Sequence, residues 1–302
     1  MLRFLLELLP CLLIGFWLGR RHPGWSPRLA QPLVRFGVPL SVMGLLLRGG
    51  LSEAVVEAAV VAPLVVGLWL LLVSLRPLGQ CLDSAALKLG SGVGNTAYVG
   101  VPLALAFLPE QALPITIGYD LGATLFTWSV GALVLAGPSR SSRSLLRGLL
   151  QGMLSSPASR GLLGALLIQW TPWQAGVAAA LWWPARLVVL LALIVVGLRL
   201  GALYRDRRIS APLEPGLRAA LVAKLLLFPL LLLLLGWLMP WDSLMVRALV
   251  LQGATPTAIS VLLIAESAGR GQRDAASLVF WSTVLALVTA SLWGLLLPWL
   301  IP

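Results

Sequence analysis

Charge and reactive side chains are what this 302-residue sequence has least of: 11% of its residues are charged, one is a histidine and two are cysteines. A soluble domain carries about 25% charged residues because polar groups must cover its surface. A water-exposed globule is therefore excluded along most of the chain. Cys11 and Cys81 lie in unrelated segments, too few and too far apart for a disulfide framework or a structural zinc site. His22 stands in a basic loop beside Pro23. No apolar run holds a Ser/His/Asp set, a His/Glu zinc spacing or paired aspartates, so no enzyme activity, metal or cofactor is expected. GSGVG at 90–94 has the glycines of a phosphate loop, but no Lys-Ser or Lys-Thr follows it. Asparagine too occurs once, as Asn95.

What is abundant is hydrocarbon. Apolar residues make up 59% of the sequence and the mean hydropathy is +0.95, which makes a bilayer the solvent. A spanning helix takes about 20 apolar residues, and ten such segments emerge, at 3–18, 33–47, 54–75, 89–108, 113–136, 148–169, 175–198, 217–239, 244–266 and 275–297. The first, MLRFLLELLPCLLIGFWLG, contains Glu7 and leads to no small-residue cleavage site. It reads as a membrane helix, not a signal peptide.

The excess of 22 Lys+Arg over 11 Asp+Glu falls in short clusters between apolar runs. That pattern orients a membrane protein and does not form a nucleic-acid-binding face. Alternate loops place sixteen basic residues on one side, among them Arg20, Arg21, Arg140, Arg199 and Arg270, and three on the other, Arg3, Arg48 and Arg247. The long loops after segments 1, 5 and 7 are thereby cytoplasmic and both termini lie outside, in a multi-pass protein of the plasma (inner) membrane. Most of the thirteen tryptophans, such as Trp25, Trp170, Trp237 and Trp299, sit near segment ends, where interfacial anchoring puts them.

Ten segments divide into two sets of five, and an odd-numbered repeat duplicates with inverted topology. Segments 2, 3 and 4 carry Pro39, Pro63 and Pro102, while segments 7, 8 and 9 carry Pro184, Pro229 and Pro256. LFTWSVGALVL in segment 5 matches LVFWSTVLALV in segment 10, with Trp128-Ser129 and Trp281-Ser282 at 26 and 25 residues beyond Pro102 and Pro256. The expected fold is an all-α polytopic membrane protein of two inverted five-helix repeats, 1–139 and 140–302. Helices 4 and 9 are expected to break at Pro102 and Pro256 and to cross. The other four prolines read as kinks. Polar residues gather at both breaks: Asn95 in GSGVGNTAYVGVPLALAF, and Gln252, Thr255, Thr257 and Ser260 around Pro256.

These residues give the chain a resemblance to the auxin efflux carrier family, which includes the plant PIN-FORMED carriers and bacterial malate or malonate permeases. It rests on GNTAYVGVPL at 94–103, ATPTAISVLLIAE at 254–266 and KLLLFPLL at 224–231, and covers almost the whole chain. The resemblance implies helices 1, 2, 6 and 7 as scaffold, helices 3–5 and 8–10 as a moving unit, and an organic anion at the crossing of helices 4 and 9. By position it implicates Asn95, Thr96, Tyr98 and Pro102 with Thr255 and Pro256; the flanking Gln252 and Thr257 complete the candidate site. The long cytoplasmic loop and the Asn-Pro-Asn break of the plant hormone carriers are not present.

Asp120 lies inside segment 5, where an ionised carboxylate costs about 2.5–3.5 kcal/mol. It is a candidate group for proton or sodium coupling, or the partner of a cation such as Lys224. Arg186 and Lys224 are expected to snorkel, and Glu266 to end helix 9 in water. The expected function is alternating-access transport of a small organic anion, with a non-transporting receptor or sensor on the same fold as the alternative. An exposed scaffold face would suit a homodimer.

Overall fold

Lipid offers no partner for backbone N–H and C=O groups, so a spanning segment must satisfy its own, and Leu-rich runs do this as helices. The computed structural model describes residues 2–75, 78–136, 157–207 and 209–301. Among the described residues the helices are, in order, α1 Leu2–Arg21, α2 Trp25–Gly49, α3 Glu53–Ser74, α4 Ala85–Gly92, α5 Thr96–Phe107, α6 Glu110–Leu135, α7 Pro157–Gln169, α8 Gln174–Arg205, α9 Pro215–Leu238, α10 Ser243–Gly253, α11 Ile259–Ala268 and α12 Gln272–Leu300. A turn of helix at Leu78–Cys81 leads into α4. Six of these helices, α2, α3, α6, α8, α9 and α12, are long and apolar enough to cross a membrane. Exposed Leu13 and Trp17 on α1, Leu64 and Leu71 on α3, and Val288 and Leu292 on α12 give outer faces suited to lipid. The protein is a multi-pass integral membrane protein.

Several helices run past the apolar windows that mark them, since a helix continues into polar sequence where a hydropathy window stops. α2 begins at Trp25 and α8 ends at Arg205. Arg35, at the edge of the second apolar window, and Arg199, just past the seventh, therefore lie within helices and not in loops. Of segment 6, Pro157–Gln169 is described as α7. The remainder at 148–156, the boundary between halves at 139/140, and Arg76, Arg140, Arg143, Arg147 and Arg208 lie outside the described residues.

Proline placement is accommodated by wide turns. The π-helical turns Leu33–Gly37, Thr96–Gly100 and Ala223–Leu227 each directly precede an α-helical stretch with Pro39, Pro102 or Pro229 as its second residue. A proline ring clashes with the carbonyl four residues back and offers it no N–H; the wider turn shifts that carbonyl aside. In α9 the freed carbonyl of Leu225 accepts from Trp293 Nε1 at 3.0 Å. Helices α2, α5 and α9 thus run through their prolines. This corrects the expected break at Pro102: the chain leaves the helix upstream, at 93–95, and Pro102 rides inside α5.

Close packing follows small residues. Gly15 and Gly19 of α1 face Gly197 and Gly201 of α8 so closely that a Cβ on any of them would run into the other helix's backbone, a small-xxx-small contact on both sides. α2 packs on both α7 and α8, with Val42, Leu45, Leu46, Ala165, Ala185 and Val189 in a shared core. A second set gathers around a larger core: α3 against α6, α9 against α10, and α12 along α4, α9, α10 and α11.

Candidate functional site

α4 and α10 both end inside the protein, and the two gaps that follow them meet. Asn95 N–H donates to Pro256 O at 2.7 Å and Ala258 N–H donates to Val93 O at 3.1 Å, forming an antiparallel bridge between Gly94 and Thr257. Gly94 is required here by proximity, because a Cβ would overlap the Thr255 hydroxyl. Two short backbone strips thus complete each other's hydrogen bonds where neither lies in a helix.

A helix end leaves its last carbonyls and first N–H groups without partners, and the second gap satisfies its own with side chains. The Gln252 carbonyl faces Pro256, which has no N–H to give, and accepts from Thr255 Oγ1 at 2.7 Å. The Gly253 carbonyl accepts from Lys224 Nζ at 2.7 Å, a cation placed at the negative end of α10. Thr257 Oγ1 donates to the Gly90 carbonyl at the end of α4 at 2.9 Å, and Thr257 N–H donates to Ser282 Oγ of α12 at 3.0 Å. Thr255, Thr257, Gln252 and Lys224 are all fully buried. Lys224 therefore does not snorkel; its Nζ sits 4.8 Å from the centre of the Phe228 ring. Arg186 lies over Trp182 and Trp183.

The first gap is built differently. The Asn95 carbonyl accepts from Val99 and Gly100 N–H at 3.1 Å each, and its Oδ1 caps α5 by accepting from Tyr98 N–H at 3.3 Å. Its Nδ2 is buried without a hydrogen-bond partner, and the residue is 5% exposed. Beside it, Thr96 Oγ1 donates to Asp120 Oδ1 of α6 at 2.5 Å, so Asp120 and Lys224 go to separate partners.

A cavity of about 710 Å³ lies against this first gap. Asn95, Thr96, Tyr98 and Asp120 line it, together with Ser260 of α11 and Arg199 of α8. First-turn residues of both α5 and α11 contribute to the wall, so two positive helix ends border it, an arrangement that suits an anion. Pro102, Gln252, Thr255, Pro256 and Thr257 stay behind the crossing, away from the wall. Both amide atoms of Gln252 are buried without partners, beside Gly100, where a Cβ would overlap its Oε1.

Arg199 was not among the residues that the sequence marked for the site. Its signal was present, because the apolar run VVGLRLGALY continues beyond it to Tyr204. Glu266, expected in water, accepts from Arg199 Nη2 at 2.9 and 3.1 Å.

Discontinuous helices that meet inside an apolar helical body are an architecture used by membrane transporters. Residues 186–294 match a family described as membrane transport protein. The chain is also 26% identical over 222 residues to an uncharacterized transporter of Methanothermobacter thermautotrophicus, covering 72% of this chain and 70% of that one. Both findings bear out the resemblance to the auxin efflux carrier family.

Proposed function

We propose that the protein is a secondary transporter that moves a small organic anion, a carboxylate, by alternating access. In this reading the two halves are inverted repeats, α1, α2, α7 and α8 form the scaffold, and α3–α6 with α9–α12 form an elevator-like moving unit. The packing of each set within itself supports that division. The observation that carries the substrate class is Asn95 Nδ2, a buried donor with no acceptor, at a cavity wall bordered by two helix N-termini. A carboxylate there gains the amide donor and the positive ends of the two helices.

Asp120 is the coupling group in this reading. It lines the same cavity and is tied through Thr96 to the first turn of α5, so a change in its charge is felt where the anion binds.

The test is uptake of labelled mono- and dicarboxylates into proteoliposomes, with and without imposed proton and sodium gradients. Saturable uptake by wild type, weakened in Asn95→Ala, is the expected result. Asp120→Asn keeps an acceptor for Thr96 and is expected to erase the pH dependence of uptake; a wild-type pH profile would leave Asp120 a structural role. Correctly inserted wild type that moves no carboxylate would overturn the reading in favour of a receptor or sensor.

A further inference from the structure

The charged residues on the cavity wall are Asp120 and, as the cation among the described residues, Arg199. Arg199 uses its guanidinium incompletely. Nη2 serves both oxygens of Glu266 at 2.9 and 3.1 Å, while Nε is buried with no acceptor. A guanidinium presents five N–H donors in a fixed fork and takes carboxylates along its edges, so a second anion at the Nε edge of this one would meet an unused Nε–H and share Nη2 with Glu266.

Its present partner is oddly placed. Glu266 stands in the last turn of α11, Ile259–Ala268, where the helix dipole disfavours a negative charge. Arg199 offsets that penalty, and the pair is only partly shielded, with side chains 25% and 29% exposed. Two carboxylates cannot both draw fully on one guanidinium. Glu266 thus has the character of a resident counter-ion, keeping Arg199 neutralised while the cavity holds no anion.

We propose that Arg199 is a binding residue for the transported anion and that Glu266 is its built-in competitor. The anion's carboxylate takes the Nε edge of Arg199 and loosens the hold on Glu266. This rests on the carboxylate-transporter reading above, in which α8 belongs to the scaffold and α11 to the moving unit. The Arg199–Glu266 pair then ties the two units together in the empty carrier, and the arriving anion weakens that tie.

The competitor role separates this inference from a merely structural ion pair. Thermal unfolding of the purified protein in detergent would be followed during titration with succinate, acetate and, as an uncharged control, succinamide, since a ligand that binds the folded state raises the melting temperature. Wild type is expected to respond saturably to a carboxylate and not to succinamide. Arg199→Gln is expected to raise the apparent Kd roughly tenfold or more, the scale of a lost charged hydrogen bond, and Arg199→Lys to restore little because it lacks the fork. Glu266→Gln is expected to lower the apparent Kd several-fold. If Glu266→Gln leaves the affinity unchanged or weakens it, the competitor is overturned; if Arg199→Gln binds as wild type does, the anchor is overturned. Should Arg199→Gln fail to fold, Glu266→Gln still decides. A wild type that responds to no carboxylate, with no uptake in vesicles, would sink the anion reading itself and this inference with it.

Discussion

The two interruptions, at 93–95 and 254–258, share a backbone bridge but are finished in different ways. In the second, Thr255, Lys224 and Ser282 supply partners for two carbonyls and one N–H, its own Thr257 reaches across to the Gly90 carbonyl of α4, and none of these four residues lines the cavity. The first is open, capped by its own Asn95 and holding an unused amide donor at the cavity wall. The lesson is a division of labour. One interruption braces the crossing and the other faces the cavity; each has a buried amide without a partner, Gln252 beside the second and Asn95 in the first, and of the two residues Asn95 lines the cavity. An unpartnered buried donor costs about 1–3 kcal/mol, and such a group persists when its surroundings hold it in place.

The most damaging change should be Gly94→Ala, which strikes the joint itself. The new methyl would collide with Thr255 Oγ1 and lie 3.3 Å from Lys224 Nζ and the Gln252 carbonyl. Overpacking of this kind costs about 1–3 kcal/mol and occasionally more. A marked fall in monodisperse protein by size exclusion is expected, and a wild-type melting temperature would mean that the two gaps are not tightly joined.

Asn95→Ala should separate the two interruptions functionally. It removes a donor that no protein group uses, so stability should hold while substrate affinity falls roughly tenfold or more, as expected for a hydrogen bond to a charged group worth about 1.5–3 kcal/mol. Thr257→Val is its mirror: about 1–2 kcal/mol of stability should go as the Gly90 carbonyl loses its partner, with affinity in the surviving folded protein little changed. If these two variants swap phenotypes, the division of labour is wrong.

The smallest effect sharpens the comparison. Ser129 and Ser282 occupy matching places in the Trp-Ser pairs, yet Ser129 donates back to its own helix at Leu125 O, 2.6 Å, while Ser282 also accepts from Thr257 N–H. Ser282→Ala is expected to cost about 1 kcal/mol and Ser129→Ala no more than a few tenths. Equal melting curves would erase the asymmetry at that position.

Helical character, a membrane environment and one of the two places where the chain leaves the helix were legible because each follows from composition or from a single residue. A lone asparagine at position 95, inside an apolar run, is by itself the mark of a polar requirement, and Pro256 marked a true gap. Pro102 misled for a local reason. A π-turn just ahead of it absorbs the ring, an adjustment that involves no special residue and leaves no mark in hydropathy. Lys224 and Arg199 were misplaced for the opposite reason. Their charge suggests water, but each meets its partner on a helix distant in sequence, Gly253 for the first and Glu266 for the second. Which polar residues line the cavity and which brace the crossing depends on how far each faces from the bridge, and spacing along the chain carries no record of that.

The bridge between Gly94 and Thr257 also has a consequence in time. Amides outside helices ordinarily exchange with solvent quickly, through local openings of small free energy. Those of Asn95 and Ala258 each donate into the opposite gap, so neither can open without parting four half-helices at once. In hydrogen–deuterium exchange these two non-helical amides are expected to be among the slowest in the protein and to exchange together.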